Sequence, residues 1–356
     1  MNNNKITLLL IGHHSPKVSG SALSFGRLYK KIKLDNRINY YFINTSRRYK
    51  DVHSIFVNIN VGINAIYQFL KIIKHVDICS FHASEKAFAK FAPLLVILSI
   101  VYNKPIILRL FGGGSGITNR NKFNIFTKYW FFQIKKSDTI FLQTKYLLEH
   151  FEKLGFKNLT WLPTSRKRTN NKTNNFLSNE CNKFVFMGRV IEEKGIITIL
   201  DSIEWLNDSV VIDIWGSLDG SISADYIDSQ GRGIIKYKGE IPHDKVQKKL
   251  AEYDALILPT YYKGEGYPGI IIESYCQGLP VVTTEWLSIP EIVDDTSGFL
   301  IPVGSPKELA DTMNKMVNDK DLYKSLRNGA YKKGKFFSET KWYNQFISTC
   351  FEIVQN

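Results

Sequence analysis

The sequence predicts an α/β protein with two doubly wound parallel-sheet domains that face a central cleft. Apolar, strand-like runs alternate with amphipathic helical segments, a polar stretch interrupts the alternation once, and the alternation then resumes. Repeated βα units of this kind are typical of a parallel sheet with helices on both faces. The length of 356 residues suits two domains, each with its own core. Ligands of such sheets bind outside the carboxyl ends of the strands, so we expect the site there.

The first domain is predicted over residues 1–164. Its strands are expected at Lys5–Gly12, Tyr40–Asn44, Val76–His82, Ile106–Phe111, 138–143 and 158–162. Its helices are expected at about 21–34, Ile63–His75, Lys86–Val101, 122–134 and 145–154. The longest apolar run, Ala92–Tyr102, is much shorter than the roughly 20 residues that a membrane span needs, so we expect a core helix there.

A polar, Asn-rich segment over residues 165–182 shows no periodicity and is predicted to link the domains. The second domain is predicted over residues 183–335, and a last helix within 336–356 is expected to pack back toward the first domain. Strands are expected at Lys183–Met187, Val210–Trp215, Ile234–Tyr237, Ala255–Pro259, Leu279–Thr283 and Gly298–Ile301. Helices are expected from the turn after Met187 to about Trp205, at His243–Tyr253, and at about 268–278, 305–317, 321–334 and 338–354.

Cysteine usage and the N-terminus favour a protein of the cytoplasm. The four cysteines are scattered without a C-x-x-C pair: Cys79, Cys181, Cys276 and Cys350. This pattern argues for free thiols in a reducing compartment and against a disulfide framework or a zinc site. The N-terminus also lacks the cleavage pattern of a secretory signal peptide.

The basic character of the chain belongs to its first half. Residues 1–165 contain 24 Lys and Arg against 7 Asp and Glu, a net charge of +17, and the remainder contains 23 against 26, a net charge of −3. Two clusters supply much of the positive charge: Arg27, Lys30, Lys31, Lys33 and Arg47, Arg48, Lys50. Such asymmetry favours an anionic partner, namely nucleic acid, an acidic lipid surface or a phosphorylated acceptor. The alternative is a lysine-rich surface without a specific partner.

Two carboxylates mark the stretch Pro259–Val282, PTYYKGEGYPGIIIESYCQGLPVV. Pro268 suits the first position of a helix, because its φ is already set and it has no N–H to leave unpaired. Gly278 suits a left-handed C-cap. We therefore expect Glu265 in the loop before the helix and Glu273 in its second turn, near N–H groups that favour an anion. As an isolated pattern, two glutamates at this spacing are more often solvated surface residues.

A second candidate lies at the strand-to-helix turn after Met187, with Gly188-Arg189 and Lys194-Gly195. Cationic side chains beside the free N–H groups of a helix start suit a nucleotide diphosphate. Taken alone, an Arg and a Lys at a helix start more often lie on the surface.

Both stretches resemble motifs of the retaining, family-four glycosyltransferases. Pro259–Val282 is similar to the donor-binding segment E-G-[FY]-[GP]-x4-E-A-x-A-x-G-x-P-V-[VI], with Ser274 and Cys276 as mild departures at two small-residue positions. The run FMGRVIEEKGI, residues 186–196, looks like the family's turn G-R-[LI]-x3-K-G. The resemblance implies the GT-B architecture of two Rossmann-like domains. It also implies transfer of a sugar from a UDP- or GDP-type nucleotide diphosphate-sugar with retention of anomeric configuration.

The resemblance implies roles for individual residues. Arg189 and Lys194 would hold the donor diphosphate. Glu265 would contact hydroxyls of the donor sugar, and Glu273 would accept hydrogen bonds from the ribose. An ionised carboxylate only accepts hydrogen bonds, which suits vicinal hydroxyls. Further donor contacts are implied for the backbone at Gly188, Gly266, Tyr267, Pro268 and Gly269.

Four features of the first domain are less specific. His82 closes a predicted strand, where the family often has a His beside the reacting carbon of the sugar, and a structural role is the alternative. Gly20 corresponds in position to the family's glycine-rich first loop. Arg109 lacks family support and is open between a structural role and a contact to an acceptor phosphate. The loop Gly112–Gly116 is open between an anion cradle and a flexible turn.

The implied catalysis is electrostatic stabilisation of the leaving diphosphate by Arg189, Lys194 and helix N-termini. No Asp-x-Asp lies near a strand end and no side chain stands out as a covalent nucleophile, so we expect same-face attack without a metal or cofactor. The expected acceptor is a glycan or a lipid-linked saccharide in surface polysaccharide biosynthesis. We expect it to be reached at the anionic inner face of the plasma membrane, with no nucleic acid as a partner.

Three other functions fit parts of the sequence. A sugar-nucleotide epimerase of the same architecture needs carboxylates near the sugar, and residues 1–165 contain only 7 acidic residues. A glycan phosphorylase needs a lysine that carries pyridoxal phosphate, and no motif for one is visible. A basic nucleic-acid-binding protein should interleave aromatic residues with Lys and Arg on its surface. The aromatic residues of the first half lie mostly within apolar runs, which indicates a core instead.

Overall fold

The computed structural model describes residues 5–14, 20–46, 55–113, 125–168 and 180–355, and all structural statements concern those residues. The chain forms two compact units, one of Met1–Pro163 with Trp342–Asn356 and the other of Thr164–Lys341. We call them unit 1 and unit 2. Each contains a six-stranded parallel sheet. The predicted class of two doubly wound parallel sheets is therefore confirmed.

The sheet of unit 1 has the strand order β2-β1-β3-β4-β5-β6, so the winding direction reverses between β1 and β3. Its strands are β1 Ile6–Gly12, β2 Ile38–Asn44, β3 Ile78–Ser84, β4 Ile106–Phe111, β5 Thr139–Leu142 and β6 Leu159–Trp161. Its first five helices are α1 Gly20–Leu34, α2 Ile55–Ile72, α3 Glu85–Val101, α4 Ile125–Phe132 and α5 Lys145–Lys153.

The sheet of unit 2 has the order β12-β11-β10-β7-β8-β9, and the winding reverses between β7 and β10. Its strands are β7 Lys183–Met187, β8 Val211–Trp215, β9 Ile235–Tyr237, β10 Ala255–Leu258, β11 Val281–Thr284 and β12 Gly298–Ile301. The remaining helices are α6 Ile196–Asp201, α7 Ala224–Gln230, α8 Val246–Leu250, α9 Gly269–Cys276, α10 Pro306–Asn318, α11 Lys320–Phe336 and α12 Glu339–Gln355. Short 3-10 helices lie at Ile73–His75, Gln133–Lys136, Glu192–Lys194, Ser202–Trp205 and Ile289–Glu291.

Helices α2, α7 and α8 depart from the prediction. Helix α2 begins eight residues earlier than predicted, at Ile55, where Asn residues and Gly62 weaken the local helical signal. Tertiary packing stabilises this part of the helix instead, because Gly62 lies against the ring of Phe91 on α3. Helix α7 was not predicted, since its seven residues carry little apolar periodicity, and the Ser223 hydroxyl caps it at the Tyr226 N–H. The helix predicted at His243–Tyr253 is shortened to α8, with turns on both sides.

Helices cover both faces of the unit 1 sheet. Alternate residues of β1 point to opposite sides, so Leu9 joins one buried cluster and Leu8 joins the other. The first cluster includes Phe69 of α2 and residues of α3. The second includes residues of α1 and Phe346 of α12. Helices α1 and α2 therefore lie on opposite faces of this sheet.

The four cysteines are free thiols, as predicted, and all are buried. The apolar run Ala92–Tyr102 lies mostly in α3, whose Ala92 and Val96 belong to the core of unit 1. Within the described ranges, no helix combines the length and the apolar character needed to cross a membrane.

Candidate functional site

The candidate site lies in unit 2, at the carboxyl ends of the neighbouring strands β7 and β10. Because the winding reverses between these strands, the turns that follow them leave toward opposite faces of the sheet. This is the position where open α/β sheets bind ligands. The turn after β7 contains residues 188–195, and the turn after β10 contains residues 259–268. Both sequence motifs therefore meet at one edge.

Backbone contacts join the two turns. The N–H of Tyr261 donates to the carbonyl of Glu193 at 2.8 Å, and the Thr260 hydroxyl donates to the same carbonyl at 3.2 Å. Gly195 has a φ of +86°, and a Cβ atom there would overlap the carbonyl oxygen of Pro259. Only glycine combines this left-handed conformation with so close an approach. Gly195 also separates the 3-10 helix Glu192–Lys194 from α6, which breaks the single helix predicted after Met187.

Arg189 and Lys194, the two residues predicted to bind the diphosphate, lie beside the ring of Tyr262. The Lys194 ammonium is 5.1 Å and the Arg189 guanidinium 5.0 Å from its centroid, within the range of cation–π attraction. Lys194 is largely buried, with 13% of its side chain exposed, and it donates to the carboxylate of Glu265. Arg189 is 47% exposed and lies 3.8 Å from Asp219, which is itself exposed. The structure thus brings two cations to the same ring: Lys194, which Glu265 anchors, and Arg189, which is more exposed.

Glu265 is buried, with 7% of its surface exposed. Its Oε2 accepts from Lys194 and from the Thr260 hydroxyl, the latter at 3.2 Å. A carboxylate offers about four lone-pair sites, so these two bonds leave capacity for hydroxyl donors.

Helix α9 places Glu273 in its second turn, as predicted. The helix begins at Gly269, and Pro268 precedes it with φ −58° and ψ 119°. The prediction of Pro268 as the first helical residue was wrong, because this extended ψ puts it at the cap position. Gly278 has a φ of +70° and ends the segment in the predicted left-handed conformation.

Glu273 does not share the partner of Glu265. Its Oε1 accepts from Nε of Arg166 at 2.6 Å, and each of the two side chains is 3% exposed. Arg166 also occupies the space over Gly269, where any Cβ atom would overlap its guanidinium. Gly269, predicted as a donor contact, therefore has a packing role as well.

The first residues of the predicted linker are an ordered part of unit 2. The Arg166 N–H donates to the carbonyl of Phe337 at 3.0 Å, and its carbonyl accepts from the Glu339 N–H at 2.9 Å. Arg166 was not predicted as a site residue. It stands in the run Ser165-Arg166-Lys167-Arg168, where nothing distinguishes one cation from its neighbours.

The predicted backbone contacts differ in their availability. The N–H of Gly188 is already donated to the carbonyl of Trp215 at 3.0 Å, because the end of β8 holds this turn. The N–H groups of Gly266 and Gly269 donate to no acceptor in the described part of the chain. Tyr267 is buried, and its hydroxyl donates to Glu291.

The predicted site residues of unit 1 form a separate set. His82 lies within β3, which continues to Ser84 rather than ending at His82 as predicted. It is 2% exposed, and burial, with a contribution from Arg109, lowers its pKa well below the ordinary value of 6.5. Gly20 is the exposed first residue of α1. Gly112 has a φ of +105° and donates its N–H to Gln143 at 2.8 Å, and residues 114–116 of the predicted loop lie outside the described residues.

No group of three or more His, Cys, Asp or Glu side chains in the described ranges is placed to hold a metal ion. The side chains gathered at the β7–β10 edge are cations, carboxylates and a tyrosine. Cations suit phosphate oxygens, and carboxylates suit hydroxyl groups. This combination can recognise a phosphorylated sugar derivative.

Known proteins agree with this arrangement. Residues 167–333 match the family model described as glycosyl transferases group 1. The capsular polysaccharide biosynthesis glycosyltransferase CapM of Staphylococcus aureus is 25% identical over 181 residues, which is 46% of this chain and 46% of CapM. The match thus spans less than half of CapM. The uncharacterized glycosyltransferase MJ1178 of Methanocaldococcus jannaschii is 25% identical over 347 residues, 94% of this chain and 95% of that protein.

The fold as a whole is also known. The crystal structure of HepE from Anabaena, in complex with UDP, superposes with a TM-score of 0.74 at 14% identity, over 98% of this chain and 100% of HepE. The chain has the GT-B fold of two Rossmann-like domains. Most of unit 2 matches the group 1 glycosyltransferase model, so the resemblance to glycosyltransferases inferred from its two motifs is confirmed.

Proposed function

We propose that this chain is a retaining, metal-independent glycosyltransferase. It would move a sugar from a UDP- or GDP-type donor to a glycan or lipid-linked saccharide in surface polysaccharide biosynthesis. The observation that carries the proposal is the joining of both motifs at the β7–β10 edge, with Arg189 and Lys194 beside Tyr262 and with Glu265 bonded to Lys194. HepE has been solved with UDP and with UDP-glucose, and CapM acts in capsular polysaccharide biosynthesis. Both support the proposed donor and process.

The geometry suggests how the donor is held. The Lys194 ammonium has three donors, so it can keep its bond to Glu265 while it contacts a phosphate oxygen. Arg189 can turn its planar fork toward the diphosphate, because its partner Asp219 is weakly held and exposed. Glu265 would read the sugar hydroxyls and Glu273 the ribose hydroxyls.

The chemistry would follow from charge placement. Negative charge develops on the leaving diphosphate as the bond to the anomeric carbon breaks. Lys194 is held in place by Glu265 before the reaction, and charge that is positioned in advance is the most effective form of electrostatic stabilisation. Arg189 would add its charge once its fork turns toward the diphosphate. The acceptor hydroxyl would attack from the face that the diphosphate leaves, which retains the configuration. The anomeric NMR signals of donor and product test this retention directly.

The first experiment measures nucleotide affinity by isothermal titration with UDP, GDP and ADP. Replacing Arg189 or Lys194 with Ala removes a charge-assisted hydrogen bond of roughly 1.5–3 kcal/mol, so affinity should fall about ten- to hundredfold. The exposed Lys307 on α10 provides the control Lys307→Ala, which should bind as the wild type does. A double variant of Arg189 and Lys194 that binds as tightly as the wild type would contradict the proposal.

The same titrations divide the roles of the carboxylates. Glu273→Gln should weaken both the free diphosphate and the sugar nucleotide, because both contain ribose. Glu265→Gln should spare the free diphosphate and weaken the sugar nucleotide. If both variants lost the same affinity for the free diphosphate, this assignment of separate roles would be wrong.

We further propose that unit 1 contacts an anionic membrane surface on the cytoplasmic side, and that α2 provides the contact. The α2 residues Ile63 and Tyr67 are 60% and 55% exposed, and Leu70 is 37% exposed. Their spacing of four and three residues places them on one stripe of the helix. Lys71 lies over the Tyr67 ring at 4.4 Å. An exposed apolar stripe with flanking lysines is typical of helices that lie in a membrane interface.

Neighbouring residues extend this patch. Lys74 follows α2 and lies 5.7 Å from the ring of Tyr102, at the end of α3. Ile100 and Val101, beside Tyr102 in sequence, are also exposed. By contrast, only Lys30 and Lys33 of the basic cluster predicted on α1 are exposed. Lys31 of that cluster is half-buried against the Tyr343 ring, so α2 offers the better membrane face.

A further inference from the structure

Arg109, in β4, is a buried cation whose charge is not balanced within unit 1. Its surface is 7% exposed. Across the described ranges, its guanidinium makes neither an ion pair nor a hydrogen bond. Its close contact is the ring of Phe111, whose centroid lies 4.7 Å from Cζ. A ring face attracts the cation but accepts none of its five N–H donors in the usual way.

This arrangement is unfavourable for the folded chain unless something else is bound. Burial lowers the pKa of Arg109 to about 9, so the group remains a cation at neutral pH. A buried charge without a partner opposes folding. Proteins keep such groups mainly where function requires them. A bound anion would balance this charge.

The position of Arg109 fits a ligand site. It is the register partner of His82 in β3, and β3 is in turn paired with β1 through Gly12 and His82. Register partners in a parallel sheet point to the same face, so Arg109 and His82 lie side by side. His82 stands near the carboxyl end of β3, at the β1–β3 reversal where doubly wound sheets bind ligands, and Arg109 stands beside it on the next strand, β4.

His82 contributes an unused polar atom. Its Nε2 pairs with the Ser80 hydroxyl at 2.8 Å, while its buried Nδ1 has no partner among the described residues. When Ser80 donates to Nε2, Nδ1 carries the proton of the neutral ring and is a donor. The rings of Phe25 and Phe346 lie 5.1 and 5.7 Å from the imidazole ring, centroid to centroid. These rings exclude water and so strengthen a polar contact made there.

We propose that Arg109 and Nδ1 of His82 form a subsite in unit 1 for an oxyanion, a phosphate or carboxylate, that the acceptor carries. Naming the acceptor as the carrier rests on the proposed glycosyltransferase function, because the residues proposed to hold the donor nucleotide lie in unit 2. The guanidinium fork can hold two oxygens of the anion, and the imidazole N–H can hold a third contact. The acceptor is thus an anionic saccharide or a phosphorylated carrier rather than a neutral sugar.

Thermal shift and isothermal titration with three small probes test this subsite. The probes are glycerol 3-phosphate, methyl glucuronide and the neutral methyl glucoside. The variant Arg189→Ala/Lys194→Ala serves as the background, because it removes the phosphate-binding cations of unit 2. We expect at least one anionic probe to bind and raise Tm, and the neutral glucoside to do neither. Binding of glycerol 3-phosphate alone identifies a phosphate-bearing acceptor, and binding of methyl glucuronide alone identifies a uronic acid.

Two variants in the same background assign the binding to Arg109. Arg109→Met should abolish the response, and Arg109→Lys, which keeps the charge but not the fork, should weaken it about tenfold. Without ligand, Arg109→Met should melt at or above the parent temperature, since it removes an unbalanced buried charge. Unchanged anion binding in Arg109→Met, or no anion binding in the parent, would overturn the proposal.

Further measurements separate this proposal from the proposed function. Arg109→Met in the otherwise wild-type chain should bind UDP as the wild type does. A loss of UDP affinity there would place Arg109 in the donor site and overturn the acceptor assignment. Anion binding needs no glycosyl transfer, so it can be observed even if no donor is turned over. If Arg109→Met does not fold, Arg109→Lys tests the assignment through its expected loss of about tenfold in anion affinity and its unchanged UDP affinity. Unchanged anion affinity in Arg109→Lys would then overturn the proposal.

Discussion

Arg166 and Glu273 form an ion pair that is closed to solvent, with 3% of each side chain exposed. The pair lies in the motif predicted to read ribose, so it connects the stability of unit 2 with its chemistry. A buried ion pair adds little to stability compared with apolar residues of similar size, but losing one partner leaves an uncompensated charge. Arg166 is thus a positioning residue, since it holds the Glu273 carboxylate in one orientation.

We expect Arg166→Met to lower the free energy of unfolding by about 3–5 kcal/mol, because the buried Glu273 carboxylate loses the guanidinium that balances it. Urea denaturation followed by circular dichroism measures the change. The double variant Arg166→Met/Glu273→Gln is the control, and it should recover much of the loss because no buried charge remains. A double variant as unstable as the sum of both single variants would show that the two side chains are not coupled.

His82 should make stability depend on pH below neutrality. Its pKa in the folded chain is lowered well below 6.5, chiefly by burial. As pH falls below about 6.5, the unfolded chain takes up a proton at this residue before the folded chain does. Protonation therefore favours unfolding, and stability is lost as pH falls toward the folded pKa.

The measurement is the free energy of unfolding from pH 7.5 to 5.5 for the wild type and for His82→Asn, which does not titrate. The difference between the two proteins should change with pH by up to about 1.4 kcal/mol per unit, with the wild type losing more. Parallel curves would show that His82 has the same pKa in the folded and the unfolded chain, which would contradict its burial.

At the scale of elements, the site depends on how the turn after β7 fits against the end of β10. Gly195 permits this fit through its φ of +86° and its missing Cβ. Gly220 has a similar φ of +80°, with open space around the Cβ position. Comparing an Ala substitution at each glycine therefore separates the free-energy cost of the left-handed backbone from the cost of the contact with Pro259.

We expect Gly195→Ala to lower stability well beyond the roughly 1 kcal/mol that Ala costs in a left-handed conformation. It should also weaken UDP binding, because the turn that carries Lys194 must move away from Pro259. Gly220→Ala should show only the conformational cost and normal UDP binding. The two variants are compared by urea denaturation and isothermal titration. Equal stability losses in both variants would show that the contact with Pro259 is unimportant.

At the scale of the whole molecule, two features favour a membrane contact: the net charge of +17 in residues 1–165 and the exposed apolar stripe on α2. Each Lys or Arg near an anionic membrane contributes about 1 kcal/mol, and this attraction is screened over roughly 8–10 Å at physiological salt. The apolar stripe adds a contribution that salt does not screen. Together they predict binding to anionic vesicles that weakens with salt.

We expect the chain to sediment with phosphatidylserine-containing vesicles at low salt, and weakly or not at all with neutral vesicles or at about 0.5 M salt. Ile63→Asn/Leu70→Asn should abolish binding if α2 is the membrane face, and Lys30→Gln/Lys33→Gln should reduce it only slightly. Lys307→Gln/Lys324→Gln, two exposed lysines of unit 2, is the control for net charge. Equal binding to neutral vesicles, or no binding to either, would refute a membrane contact based on charge.

The sequence by itself determined the alternation of strands and helices, the two sheets, and the resemblance of two motifs to those of glycosyltransferases. These features are local. The hydrophobic periodicity, the left-handed turn at Gly278 and the placement of Glu265 and Glu273 around one helix follow from backbone preferences within one or two elements. Three strands, Ile106–Phe111, Lys183–Met187 and Gly298–Ile301, have the predicted bounds. Glu273 likewise lies in the predicted turn of its helix.

Only the tertiary structure decided which groups meet. Arg166 and Glu273 are 107 residues apart in sequence, and Lys194 and Glu265 are 71 apart. No local pattern encodes such pairs, because they form only when β7, β10 and the start of unit 2 come together. The burial of Arg109 could not be predicted for the same reason. In the sequence it is one of many cations in the basic first half, and only the pairing of β3 with β4 places it beside His82. The charge of a side chain is a property of the residue, but its energetic role depends on its surroundings.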